Sequence, residues 1–257
     1  MMQPQRLILL PGWAIGPRAL VPLVESLEQA ASWLEVETPT LPPYGHARPE
    51  VWLEALGLAL GLDDSRQDPR PTWIGGWSLG GMLAVALAAR RPERFAGVIG
   101  LGANARFLSA SDWPQAMRPA TFQRFASELE HSPHDTLHRF GALAAQGSRD
   151  TRRLARVLVQ ALLDVSLHET RAGLKLLRWL DNRTALSTLT LPQLYLFAEH
   201  DALVPFASQQ EVQRLCTRQA TCMQIENAGH AFVIDQAALS AERIEAFIAA
   251  NSTGRER

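Results

Sequence analysis

The chain has 257 residues, 47% of them hydrophobic, which suits one large α/β domain or a domain carrying an insertion and argues against two independent large domains. A formal net charge of −1 gives no global attraction to nucleic acid or to an acidic membrane, so a charged partner has to be met by a local patch. The two cysteines, Cys216 and Cys222, are too few for a disulfide framework and indicate a reducing compartment.

The first apolar run, Leu7 to Pro11, is shorter than the apolar core of a signal peptide. No stretch approaches the ~20 apolar residues that span a bilayer. A cytoplasmic protein with no membrane partner is expected.

In chain order, strand-like runs buried on both faces are "RLILLP", "LEVETP", "PTWIGGW", "FAGVIGLG", "LPQLYLFA" and "CMQIENA". Between and after them lie amphipathic helical stretches: "ALVPLVESLEQAAS", "EVWLEALGLALGL", "GGMLAVALAARRP", "SQQEVQRLCT" and "AALSAERIEAFIAAN". This alternation predicts an α/β fold with a mainly parallel sheet and helices on both faces.

From 104 to 187 the rhythm breaks into helical sequence alone, as in "MRPATFQRFASELE", "DTLHRFGALAAQ", "TRRLARVLVQALLD" and "TRAGLKLLRWLD". About eighty residues without a strand read as an inserted helical cap. The expected division is a core of 1–103 and 188–250, a cap of 104–187 and a disordered tail at 251–257.

"GGWSLGG" sets Ser78 between Gly76 and Gly80, after a strand-like run and before a helix-like one. In a strand-turn-helix context the glycines let the chain turn tightly while the serine is lifted from the surface as a nucleophile. The alternative is a Gly-rich loop with a helix-capping serine.

A serine hydroxyl near pH 7 needs a base, and the base needs an acid to orient it. "EHDALVP" puts Asp201 after the fifth strand, and "ENAGHAF" puts His230 after the sixth, in the order serine, acid, histidine. Glu199 is a rival for the acid role, whereas His200 points the other way along the extended segment. The oxyanion would take one N–H from Leu79 and one from the loop after the first strand, where Trp13 fits and its indole would wall the pocket. His131, His134 and His138, at helical spacing, read as a solvated helix face rather than a metal site.

Together "LLPGW", "GGWSLGGMLA", "LFAEHDALVP" and "AGHAF" resemble the α/β-hydrolase family, and within it the bacterial pimeloyl-acyl-carrier-protein methyl ester esterases of biotin synthesis. The cap segments "SDWP" and "HRFGALAAQG" carry the narrower likeness, which runs from Leu7 to about Ile248. The resemblance implies hydrolysis of a methyl ester by Ser78, His230 and Asp201, with Trp13 and Leu79 at the oxyanion hole. It places substrate against Trp13, Leu79, Phe140, Gly141, Ala142, Leu143, Ala144 and His230. It sets Arg139, Arg152 and Arg156 against an acidic acyl carrier protein, with Asp135 where the pattern has a further basic residue. Pro11 stands where many relatives carry histidine.

The residues agree with a docking patch: from Leu137 to Leu163 the local balance is +4, from Arg139, Arg149, Arg152, Arg153 and Arg156 against Asp150. A solvated helix face is the other reading of that run. No metal or organic cofactor is required by this chemistry, and a monomer is expected. Another capped hydrolase with the same triad (general carboxylesterase, thioesterase or carbon–carbon bond hydrolase) and a non-catalytic ligand receptor remain alternatives.

Overall fold

The architecture follows from six short runs: four are apolar and buried on both sides, whereas Leu34–Glu37 and Ala220–Ile225 are half-exposed, against the expectation of burial on both faces, because they form the two edges of the sheet. The computed structural model describes residues 2–43, 48–63, 68–216 and 220–252. In chain order the elements are β1 (Gln5–Leu10), α1 (Val21–Ala30), β2 (Leu34–Glu37), α2 (Pro49–Ala59), β3 (Thr72–Trp77), α3 (Leu79–Arg90) and β4 (Gly97–Leu101). Then come α4 (Pro119–His131), α5 (Pro133–Ala145), α6 (Thr151–Leu163), α7 (Leu167–Trp179) and α8 (Arg183–Thr188). The chain continues with β5 (Gln193–Ala198), α9 (Ser208–Leu215), β6 (Ala220–Ile225), α10 (Phe232–Asp235) and α11 (Ala237–Ser252).

All six strands are parallel, in the order β2-β1-β3-β4-β5-β6. Side chains two apart share a face of a strand. Ile8, Leu10, Ile74, Val98, Tyr195 and Phe197 therefore join one core with α2 and α3, while Leu7, Leu9, Trp73, Ile99, Leu194 and Leu196 join the other with α1 and α11. The chain leaves β1 toward β2 and returns to β1's other side as β3. That reversal opens a crevice at the carboxyl ends of β1 and β3, the position where open α/β sheets bind ligands.

The helical insert between β4 and β5 begins and ends on paired chain: Arg106 bridges Asp181, and Asn182 N–H donates to the Ala105 carbonyl at 2.8 Å. Its helices have no core of their own. Leu129 and Leu177 pack into one of the two sheet cores, Leu154 and Leu158 into the other. One boundary differs from the expected division: α8 packs on the core, with Leu186 in the α2–α3 cluster and the Asn182 amide donating to the Met82 carbonyl at 2.8 Å. Apolar spacing within helical sequence does not say which layer a helix joins. The expected tail also starts too early. Helix α11 runs through Ser252, whose hydroxyl accepts from Gln5 Nε2 at 2.6 Å; 253–257 lie outside the described residues.

Candidate active site

Ser78 stands between the end of β3 and the start of α3 with φ 55° and ψ −116°, a backbone conformation that costs a side-chain-bearing residue about 1–3 kcal/mol. Its N–H donates to the Leu101 carbonyl at 2.8 Å, locking the turn to the end of β4. The flanking glycines are obligatory by space. A Cβ on Gly76 would stand 2.4 Å from the Gly80 carbonyl carbon, and one on Gly80 would stand 2.1 Å from the Leu10 carbonyl oxygen. The elbow therefore exists because β1, β3 and α3 meet with no side chain between them.

Asp201 and His230, 29 residues apart on the loops after β5 and β6, meet at 2.7 Å through Oδ2 and Nδ1. Both side chains are essentially closed to solvent, at 1% and 2% exposed. The other carboxylate oxygen accepts the N–H groups of Leu203 and Val204, each at 2.8 Å. The acid is thus held at both oxygens, and its hydrogen bond requires the proton on Nδ1, leaving Nε2 as the basic nitrogen.

Ser78 is joined to this pair through its neighbours. The Trp77 indole N–H donates to the His230 carbonyl at 2.9 Å. Gly102, which follows the Leu101 that binds the Ser78 N–H, faces the His230 ring: a Cβ there would stand 3.5 Å from its Cε1 and Nδ1. Glu199 is occupied elsewhere, accepting the Asn227 N–H at 2.9 Å, and His200 is half exposed.

Trp13 and Leu79 lie at the switch point, Trp13 on the loop after β1 and Leu79 at the first residue of α3, just past β3. Among the described residues the Trp13 main-chain N–H donates to no backbone acceptor outside the regular elements, and that of Leu79, the first residue of α3, is one of the N–H groups of a helix's first turn that have no partner within the helix. The Trp13 indole is buried, with Nε1–H donating to the Thr170 carbonyl of α7 at 2.8 Å.

Beside it lies a cavity of about 190 Å³ whose lining includes Trp13, Phe122, Phe125, Phe140, Leu143 and Leu174. Of the expected acyl-binding segment, Phe140 and Leu143 face this cavity. Gly141 instead packs on α6, where a Cβ would stand 2.7 Å from Val159 Cγ2. Ala142 is exposed, and Ala144 is buried with its carbonyl accepting the Ala231 N–H at 3.2 Å. A helix turns successive side chains by about 100°, so five consecutive residues cannot all face one cavity.

Arg149, Arg152, Arg153 and Arg156 are exposed, and among the described residues their guanidinium groups form no ion pair. Arg139 differs: it reaches Glu128 on α4 at 2.7 Å, a pairing that the local charge count from Leu137 to Leu163 does not include. Asp135 is exposed in the first turn of α5, beside His134 at 3.8 Å. His134 and His138 lie ring against ring, centroids 4.5 Å apart, and His131 Nδ1–H donates to the Ser127 carbonyl at 2.7 Å.

Two groups at the site escaped the sequence reading. Trp77 reads only as a strand residue, and the Gln146–Ser148 turn of the cap gives no sign that it rests on the histidine loop. A Cβ on Gly229 would stand 1.9 Å from the Gln146 carbonyl oxygen. The glycine before His230 was the available signal.

A parallel sheet with a serine on a strained strand-to-helix turn and a buried acid–histidine pair at the same edge defines an α/β hydrolase. The chain belongs to the alpha/beta hydrolase fold family, whose model matches residues 67–237.

Among particular relatives, it is 34% identical over 249 residues to the pimeloyl-[acyl-carrier protein] methyl ester esterase of Stenotrophomonas maltophilia (strain K279a), covering 96% of this chain and 93% of that protein. It is 38% identical over 209 residues to the biotin biosynthesis bifunctional protein BioHC of Cellvibrio japonicus (strain Ueda107). That match takes in 81% of this chain and spans only 41% of the bifunctional protein. The bromoperoxidase structure from Bacillus anthracis superposes with a TM-score of 0.83 over 96% of this chain and 93% of that one. At 17% identity that likeness concerns the fold alone.

Proposed function

We propose that the chain is a serine carboxylesterase that hydrolyses the methyl ester of pimeloyl-[acyl-carrier protein], releasing methanol and the free carboxylate in biotin synthesis. One observation carries the chemistry: the buried 2.7 Å Asp201–His230 pair beside the strained Ser78 turn. The choice of ester is supported by the similarity to the Stenotrophomonas esterase over 96% of this chain.

In this reading His230 Nε2 takes the Ser78 hydroxyl proton as Oγ attacks the ester carbonyl, and Asp201 stabilises the imidazolium through Nδ1–H. The Trp13 and Leu79 N–H groups receive the oxyanion. The tetrahedral intermediate collapses, His230 returns the proton to the methoxy oxygen, and methanol leaves. Water, deprotonated by His230, then attacks the acyl-serine; its collapse restores Ser78 and frees the acid. The cavity walled by Trp13, Phe125 and Phe140 takes the acyl chain.

The unpaired arginines of α6, Arg152 and Arg156 among them, are the docking surface for an acidic carrier protein, with Arg139, paired to Glu128 in the cavity lining, beside them; unpaired cations raise the encounter rate and set orientation. A monomeric, cytoplasmic enzyme is the form proposed. Among the described residues no helix is long and apolar enough to cross a membrane.

The test is methanol release from pimeloyl-[acyl-carrier protein] methyl ester by the purified protein and by Ser78→Ala. Turnover retained in the variant would remove Ser78 from the mechanism. Growth of a biotin auxotroph lacking its esterase, supplied with this gene, reads the cellular role. Turnover of p-nitrophenyl esters without that rescue would favour a general carboxylesterase.

A further inference from the structure

The Trp13 indole sits in a socket on α7. Besides its bond to the Thr170 carbonyl, the ring meets Phe140 and Phe125 edge-on, at centroid separations of 4.7 and 5.5 Å. Thr170 and Gly173, three residues apart, share a helix face, and Gly173 leaves that face bare. A Cβ there would stand 2.5 Å from Trp13 Cδ1, 3.0 Å from its Nε1 and 3.7 Å from Leu79 Cδ2. The missing side chain is therefore opposite the two residues whose main-chain N–H groups are the oxyanion donors in the reading above. The socket is anchored: a Ser166–Glu169 capping box holds the first turn of α7, and the buried Thr170 hydroxyl donates to the Ser166 carbonyl at 2.9 Å. The loop has little room to give, because Ala14, next to Trp13, already has φ 52°.

We propose that Gly173 is a positioning residue of the oxyanion hole: by keeping α7 bare it lets the indole seat on the Thr170 carbonyl, and the seated indole sets the direction of the Trp13 main-chain N–H. The inference rests on the assignment of Trp13 and Leu79 as oxyanion donors. A methyl group at 173 forces the ring back, Phe125 and Phe140 close its sideways escape, and the loop after β1 moves with it. Such a displacement weakens a bond made to the transition state, and a short-chain ester, which fills little of the cavity that the ring also walls, loses little ground-state binding.

The experiment is steady-state kinetics of the full chain on a short-chain methyl ester, wild type against Gly173→Ala. The expected result is a kcat lower by about 10–100-fold with KM changed by less than about threefold. Affinity for a trifluoromethyl ketone analogue of the ester, which forms an oxyanion with the serine, falls by the same factor as kcat/KM. Trp13→Phe, which keeps a ring but removes its N–H and its longer edge, lowers kcat by itself. Combined with Gly173→Ala its effect is far from additive, because the smaller ring no longer meets the methyl group.

Unchanged kcat in Gly173→Ala, a KM effect alone, or additive losses in the double variant would each overturn the proposal. Should Gly173→Ala fail to fold, Trp13→Phe decides, since lower kcat with unchanged analogue affinity would sink the socket. Wild type that is labelled by a fluorophosphonate and turns over the ester keeps the esterase reading intact whatever the variants do; wild type that does neither removes that reading instead.

Discussion

The indole N–H of Trp77 and the main-chain carbonyl of His230 are hydrogen-bonded at 2.9 Å across 153 residues of chain. The residue before the elbow serine thus holds the loop that carries the histidine. The two rings also lie 5.6 Å apart, tilted by 37°. Trp77→Phe keeps an aromatic ring but leaves a buried carbonyl without its donor, a loss of about 1–3 kcal/mol. Urea denaturation should show that loss, and kcat should fall about tenfold as the histidine loop loses its register. A destabilised variant with full kcat would show that the bond serves the fold and not the site.

Asp201 accepts three hydrogen bonds, two at Oδ1 and one at Oδ2. In Asp201→Asn the amide oxygen keeps the Leu203 and Val204 N–H groups, so the NH₂ faces His230 Nδ1. That nitrogen must then accept, the proton moves to Nε2, and the base is blocked. A kcat about 10⁴-fold lower with little change in thermal midpoint is expected. A loss under tenfold would show that the pair does not orient the base.

Reversing the charge of Arg152 and Arg156 should raise KM for a carrier-bound ester well above its effect on a free methyl ester. Both side chains are exposed, so the effect should shrink as salt rises from 50 to about 500 mM, where the screening length falls below about 5 Å. Equal effects on the two substrates would argue against docking on α6.

Burial pushes the Cys216 thiol up to about 12 and the Cys222 thiol up to about 11, from an ordinary 9.0. The folded state therefore holds both protons where the unfolded state would release them. Their contribution to stability is complete below about pH 9 and is lost as pH rises from there through 11 to 12. Reaction with an aromatic disulfide reagent at pH 8 should be slow in the native protein and rapid in denaturant, since the thiolate is the reactive form. Fast native labelling would contradict the burial.

The four inner strands were legible because each run is apolar on both sides and ends at glycine, proline or a polar turn; β2 and β6 were legible as strands, but their half-exposed burial follows from their place at the sheet edges, which local sequence does not carry. Ser78, Asp201 and His230 were legible as candidates because each lies just past such a run. Leu143 and Ala144, neighbours in the sequence, face the cavity and the core respectively, a distinction set by the rotation of α5. Arg139 adds to the positive balance of its own segment but is paired with Glu128 in the fold, since a count along one segment omits the facing helix.

What the sequence alone determined is the order of elements and the three reactive groups, because local apolar periodicity and turn-forming glycines act over a few residues. Contacts between distant segments were decided only by tertiary structure: Asp201 closing on His230, Trp77 on the histidine loop, Trp13 seated on α7. The reason is steric. Which residues must lack a side chain, as Gly173 and Gly229 do, depends on how closely two backbones approach, and that distance is set when the whole sheet and its cap pack together.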